Sequence, residues 1–341
     1  MKNTWHLQWF AQPVNHTGSE SLTSEMKTFY DKTLLEYAAP NLVHGQFGQK
    51  RPIPAHGGKS IEFRRFAALP KITTPISEGV TPEGQALSVT PITAEVDQYG
   101  GWVPLTDVLE LTAIDNNVVA ATKNLSAQAG LTLDSVVRDA ISGGTNVLYC
   151  PKLGADGAET AVSNRAGIDK TCLLTVKALF RAAAVLKSQN APTIDGSYVA
   201  IVHPYVAYDL MQEAGDMWMS VNRYKNPEKI YKGEIGTIGG VRVVESTNAK
   251  IIGITSEGSE ENKNTVPVFV TLVFGADAYG VVDVEGGGME LIVKPKGYGD
   301  DPLNQRSSVG WKALETATIL NDQYLVRVES CSTFADQAQA N

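Results

Sequence analysis

Two glycine-rich strings in this chain carry residue types used in nucleotide chemistry. The first is HGGKS, His56 to Ser60. In a phosphate loop, glycine amides cradle the phosphates, a lysine reaches the outer ones and a hydroxyl holds magnesium. That pattern needs a glycine five residues before Gly58, and the position is Ile53. It also needs a helix N-terminus directly afterwards, because the free amides and dipole there hold the anion. The residues after Ser60 are instead IEFRRF, an alternating strand pattern. The second string is GEIGTIGG, Gly233 to Gly240. A dinucleotide fingerprint opens the helix on which pyrophosphate sits. Here the next element is the strand VRVVE, so these are read as tight-turn glycines.

Other reactive types are scattered. His6, His16, His44, His56 and His203 show no metal-ligand spacing. His203 ends an apolar strand and precedes Pro204, a good first helical residue, so it is read as a cap or buried hydrogen-bonding group. No nucleophile elbow and no Cys/His pairing can be proposed on spacing. Asp300-Asp301 could hold a cation, but two adjacent carboxylates in a Gly-rich loop are more often solvated. Cys150, Cys172 and Cys331 are far apart and include no CxxC pair. They are expected to be reduced core residues, with neither zinc nor disulfides. No catalytic residue, metal or cofactor is expected.

The chain has 341 residues, a length at which two intertwined lobes are expected around more than one core. A hydrophobic content of 43% and a charged content of 19% are those of an ordered globular protein. The net charge of −8 argues against a surface that grips phosphate, which needs clustered Lys and Arg. No apolar run approaches the roughly 18 residues of a membrane span. The opening MKNTWHLQWFA is not expected to be a signal peptide, since His6 and Gln8 interrupt it. The sequons at Asn15 and Asn124 then have no meaning, and a reducing cell interior is expected.

Periodicity supplies the elements. Trp5, Leu7 and Trp9 alternate, with Phe10 beside them, as an arm docked in an apolar groove would. A helix is expected from Thr23 to Pro40. Lys59 to Phe66 reads as a strand, Ile61 and Phe63 on one side, Glu62 and Arg64 on the other, with Ala94 to Tyr99 as its partner. Between them lie four prolines and no helical period. Such a two-stranded excursion is marginal in water alone and must lie on something. A long helix covers Val118 to Ile141 and stops at Gly143-Gly144. Residues 145–170 read as loop. A helix over Leu173 to Ser188 faces inward with Val176, Leu179, Phe180, Ala183 and Leu186. The strand Tyr198 to Val202 leads to a helix with Val206, Leu210 and Met211 on one side. Strands are expected at Val241–Glu245, Val266–Phe274, Met289–Lys294, Val309–Leu320 and Tyr324–Glu329, with a solvated insert at Ser256–Asn264.

The order of these parts resembles the Johnson fold of tailed-bacteriophage major capsid proteins over nearly the whole chain. The similarity is carried by LTSEMKTFYDKTLLEYAAPNLVHGQFGQKRPIPAHGGKSIEFRRF (Leu22 to Phe66), ISEGVTPEG (Ile76 to Gly84), LELTAIDNNVV (Leu109 to Val119) and GEIGTIGGVRVVES. The leader HLQWFA is similar to one common in capsid proteins of phages of Gram-positive hosts. The resemblance implies an α+β fold: an N-terminal arm and helix (1–44), an E-loop β-hairpin (45–104), a peripheral domain with a long spine helix (105–172), an axial α/β domain (173–285), and return strands with a C-terminal tail (286–341). It implies a shell of hexamers and pentamers around double-stranded DNA. No helical scaffold domain precedes the arm, so a separate scaffolding protein is implied, together with a portal protein. The DNA would be enclosed without specific binding, and no membrane is involved. Assembly would take place in the host cytoplasm. No catalytic set for covalent crosslinking can be mapped.

On this reading the interface residues are Trp5, Leu7, Trp9 and Phe10 in the arm, and Ile61, Phe63, Arg64 and Arg65 in the hairpin. Lys294, Lys296, Asp300, Asp301 and Arg306 would complete them, in a loop where three capsomers meet. A cargo-enclosing encapsulin shell shares the fold and is the nearest alternative. An α/β enzyme using the Gly233 to Gly240 turn for a nucleotide is the more distant one.

Overall fold

The computed structural model describes residues 42–54, 56–67, 69–76, 78–79, 81–112, 117–154, 156–220, 230–254, 266–284, 288–297 and 301–341. The expected helix over 23–40 and the insert at 256–264 lie outside them. The chain enters through a 3-10 turn, His44–Gln46, and a short strand β1 (Gln49–Lys50). β2 (Ser60–Phe66) and β3 (Val89–Glu95) then form an antiparallel ladder of their own, from Ser60 opposite Glu95 to Phe66 opposite Val89. The expected partner strand, Ala94 to Tyr99, is therefore divided. The chain turns at Val96, whose amide donates to the Lys59 carbonyl at 2.9 Å. β4 (Asp97–Thr106) belongs to a different sheet. Alternation hides this corner because Ala94 and Val96 are both buried, so the in–out rhythm runs straight through it.

After a short helix α1 (Asp107–Thr112) comes α2 (Asn117–Ser142). Its buried stripe is Ala121, Leu125, Ala129, Leu133, Val137 and Ile141, one residue in four. Residues read as loop then form β5 (Val147–Tyr149) and a small hairpin, β6 (Lys152–Leu153) with β7 (Glu159–Thr160). α3 (Val176–Ser188) starts later than expected, because the Thr175 hydroxyl caps it by accepting from the Ala178 amide at 3.1 Å. Phe180, expected inward, is exposed, and Ala182 takes the inner position. In α4 (Pro204–Ala214) Met211 likewise lies at the margin, and Ala207 is buried instead.

The second half of the chain is mostly strand. After β8 (Tyr198–Val202) and α4 come β9 (Met219–Ser220), β10 (Glu234–Ile238), β11 (Val241–Glu245), β12 (Ile251–Ile252) and β13 (Val268–Phe274). They are followed by β14 (Tyr279–Asp283), β15 (Glu290–Lys294), β16 (Arg306–Ile319) and β17 (Leu325–Ser330). GEIGTIGG is thus mostly the strand β10, and only Gly239-Gly240 is the turn. Both have positive φ, +55° and +86°, as a two-residue hairpin turn of this twist requires. β14 has no counterpart in the expected elements. It is short and contains Gly280, where a Cβ would come within 2.8 Å of the Phe63 ring.

Two sheets result. The larger runs β5-β17-β13-β8-β11-β10-β9, with β12 on β13. One face is covered by α3 and α4, and the other by the end of α2 with Val43. Burial on both faces explains why β8 and β13 are apolar without alternation. The smaller sheet runs β1-β14-β16-β15, and β4 pairs along β16 from Asp97–Glu315 to Thr106–Arg306. Leu105, Val309, Trp311 and Ala313 pack on Leu125, Ala129 and Leu133 of α2. The three cysteines are free and buried, and burial pushes the Cys150 and Cys172 thiols up.

Asp134 of α2 holds these parts together. One carboxylate oxygen accepts from the Val43 and His44 amides, both at 2.7 Å. The other meets His44 Nδ1 at 2.7 Å and accepts from Asn248 Nδ2 at 2.9 Å. An ionised carboxylate can only accept, so Nδ1 carries the proton. Burial pushes Asp134 upward, but the hydrogen bonds from His44 and Asn248 outweigh it and hold the acid below its ordinary value. Arg138 extends the network to the Asn248 carbonyl and side chain at 3.1 and 2.8 Å.

These buried groups set the response to mutation and to pH. Asp134→Ala strips the acceptor from four donors and should cost ~3–5 kcal/mol, seen as a lower denaturant midpoint with an unchanged slope. His203 caps α4 by accepting from the Tyr205 amide at 3.3 Å, and burial lowers it from 6.5 to about 4. Its contribution is present above pH 6.5 and lost as pH falls through 4, since the unfolded chain takes up the proton first. His203→Asn keeps a cap that does not titrate, and melts between pH 7 and 4 should show a flatter acid limb.

Candidate assembly surface

A two-stranded ladder has two faces, and here one of them is covered at the root. At its root the β2–β3 hairpin is anchored. Phe63 is only 3% exposed and packs with Ile53, Ala94, Val96, Val282 and Leu320, with Ile61 and Ile92 at the margin. Phe63 therefore packs in the chain's own core, where the missing side chain at Gly280 admits its ring. Arg65 reaches Asn321 Oδ1 at 3.3 Å, which also ties the root to the body. Arg64 pairs with Glu62 at 3.0 Å on the outer side, where both are exposed.

Beyond Phe66 the hairpin changes character. Phe66, Leu69, Ile72, Ile76 and Leu87 are all more than half exposed, Ile72 and Ile76 at 71%. Among the described residues, none covers this apolar run. Large exposed apolar residues mark contact surfaces when they cluster.

A second apolar surface lies on the smaller sheet. Trp102 points outward from β4 and is 68% exposed; Val108, Leu109 and Leu111 of α1 extend the surface, Leu111 at 81%. Beside Trp102 is a groove of about 410 Å³ lined by Pro104, Lys294, Pro295, Arg306 and Ser308. Sequence reasoning selected Lys294 and Arg306 from this region and overlooked Trp102. Its signal was present: in GGWVPLT the odd positions 103 and 105 face α2, so position 102 faces away.

Asp301 accepts from the Gln305 and Arg306 amides at 3.1 and 2.8 Å, and those backbone bonds lower its pKa. Its carboxylate is thus engaged by its own loop. Lys296 lies in the same loop, Lys294 and Arg306 at its ends; Asp300 lies outside the described residues, as do Trp5, Leu7, Trp9 and Phe10. Neither glycine string opens a helix. His56 and Gly58 sit at positive φ in a turn, and the next element is strand rather than helix. Among the described residues, no group of three His, Cys, Asp or Glu side chains is placed to hold a metal.

A family model described as phage capsid protein matches residues 89–328, well over half of the chain. The chain belongs to the phage capsid protein family. Solved structures place its fold in the same company. The capsid of Ralstonia phage GP4 superposes with a TM-score of 0.63 at 15% identity, covering 85% of this chain and 88% of the other. The capsid of cyanophage P-SCSP1u gives 0.59 at 18% identity, covering 84% and 87%. The SrpI encapsulin of Synechococcus elongatus PCC 7942 gives 0.51 at 8% identity, covering 84% and 86%. At these identities the superpositions speak for the α+β capsid fold, and the family match for a phage capsid. No curated protein matches the chain by sequence. This capsid protein is a shell subunit of a virion, built to contact copies of itself.

The root and the tip of the hairpin make separate predictions in the unassembled capsid protein. Phe63→Ala should cost ~3–5 kcal/mol, because it empties a buried site. Replacing Leu69, Ile72, Ile76 and Leu87 together by Ser should change subunit stability by no more than ~0.5 kcal/mol per site. Chemical denaturation of the two variants beside the parent checks both.

Proposed function

We propose that this capsid protein builds an icosahedral head of hexamers and pentamers by a head-to-tail contact. The tip of one copy's hairpin lies over the Trp102 and α1 surface of the next. The observation that carries this reading is that one chain exposes two apolar surfaces at different places, neither of which covers the other. A contact between unlike patches repeats around a ring when the rotation closes. Obligate interfaces of this kind bury roughly 2,000–5,000 Å². The hairpin acts as the E-loop, α2 as the spine helix of a peripheral domain and the larger sheet as the axial domain. Trp5, Leu7, Trp9 and Phe10 pin the arm to a neighbour, and the loop from Lys294 to Arg306 lies where capsomers meet. Assembly takes place in the host cytoplasm with a separate scaffolding protein and a portal. The net charge of −8 supports a wall that encloses double-stranded DNA without gripping it.

Deleting residues 69–91 should leave a soluble, folded subunit that forms no shells by electron microscopy. Trp102→Glu should do the same with no loss of subunit stability. A deletion variant that still closes particles would show that the hairpin tip is not the assembly contact.

A further inference from the structure

Where the hairpin joins the body, three strands bring three acids into one row. Glu315 of β16 is directly opposite Asp97 of β4 on one side and Asp283 of β14 on the other. Directly paired residues on a sheet have Cβ atoms about 4.5–5.5 Å apart, and like charges there repel. Glu315 is the residue at which the pairing zones of β4 and β14 meet: β4 covers Arg306 to Glu315, and β14 covers Glu315 to Ile319. The row lies on the side of the sheet that carries Trp311 and Ala313. On the reverse side, Leu314 and Val282 support the buried hairpin root around Phe63. Asp97 comes directly after Val96, the corner residue that closes the hairpin.

The outer acids are exposed, and Glu315 between them is half-buried. Asp97 has Lys59 at 3.2 Å. Among the described residues, none donates a hydrogen bond to the Glu315 carboxyl. The groups that face it are Asp283 from β14, Asp97 and the phenol of Tyr99 from β4, Asp134 from α2 and Lys50 from β1. Lys50 is the cation in that set, and Asp134 is already occupied by His44 and Asn248.

We propose that Glu315 is a proton-operated lock at the hairpin root: uncharged, it lets β4 and β14 close against β16, and ionised, it completes a row of three carboxylates that loosens the junction. Burial first, then Asp283 and Asp134, push Glu315 up from 4.5 to about 7, with Lys50 opposing. A raised acid binds its proton more tightly in the folded chain. Its contribution to stability is therefore full below pH 4.5 and is lost as pH rises through 7. This is opposite in sign to the effect of His203. The lock is a property of the single chain and does not rest on the assembly reading.

The test uses the dilute, unassembled full-length chain and its Glu315→Gln variant, which is isosteric and never charged. Infrared difference spectra of the parent should show a carboxylic-acid carbonyl band at pH 6 that disappears by pH 8, and the variant should lack it. Hydrogen exchange at the Val96 amide should be roughly tenfold slower in the variant than in the parent at pH 8, and closely similar at pH 5. Asp283→Asn, which removes one charge of the row, should move the carbonyl midpoint to lower pH. A band that is gone by pH 5, or Val96 exchange that is the same in parent and variant at pH 8, would overturn the proposal. Should the Gln variant fail to fold, the parent band and its shift in Asp283→Asn decide alone.

Discussion

A carboxylate with no access to water must be given its donors by the protein, and at Asp134 they come from separate segments. The entering chain supplies two amides and an imidazole, and the turn between β11 and β12 supplies Asn248. Breaking such an arrangement leaves a desolvated charge, whereas forming it requires every partner at once. The position of α2 relative to the chain entry and to the larger sheet is fixed by that demand. Tyr279 adds β14 to the same point through its hydroxyl, which donates to the His44 carbonyl. The smaller sheet is thereby tied to the larger one at the place where α2 passes between them. The hairpin root depends on it in turn, since Phe63 packs against β14 at Gly280.

From that anchored centre the chain becomes steadily less self-sufficient. β8 and β13 are buried on both faces and need nothing further. The smaller sheet has one face on α2 and leaves Trp102 outside. The hairpin has only its root covered. In a protein that worked alone, exposed Ile72, Ile76 and Leu111 would be an aggregation liability. On the assembly proposed above they are the surfaces on which copies meet, and the same apolar excess becomes a driving force for assembly.

Much of this architecture is legible in the residues, and the failures have physical causes. The interior strands show as continuous apolar runs, and α2 as a stripe repeating every fourth residue. The β3–β4 corner does not show, because Ala94 and Val96 keep the alternation running while the chain changes sheets. β14 is masked by Gly280, whose missing side chain is a packing requirement of Phe63 and looks like a turn signal in isolation. Phe180 and Met211 sit at the margins of their stripes, where a helical wheel cannot tell a buried position from an exposed one. The hairpin was legible as a long two-stranded excursion, but not in its division into root and tip. Phe63 and Phe66 are three residues apart in one strand, and only the tertiary fold separates a core residue from a surface one. Trp102 was missed because a single tryptophan in a strand is more often buried.

The division between root and tip also explains why charge collects where it does. On the proposed assembly the hairpin must be held firmly enough to present its apolar side, yet it emerges from the edge of a five-stranded sheet with one face already used by α2. Hydrophobic contacts at Phe63, Val282 and Leu320 supply the hold, and they do not titrate. The acids on the opposite face of the same strands do. Asp97, Glu315 and Asp283 lie side by side, and when ionised they oppose the pairing that the apolar face favours. A junction built from one constant and one titratable contribution has a strength that solution conditions can adjust without altering the core. The place where that adjustment acts, between β3 and β4, is the corner through which the hairpin transmits its orientation to the rest of the subunit.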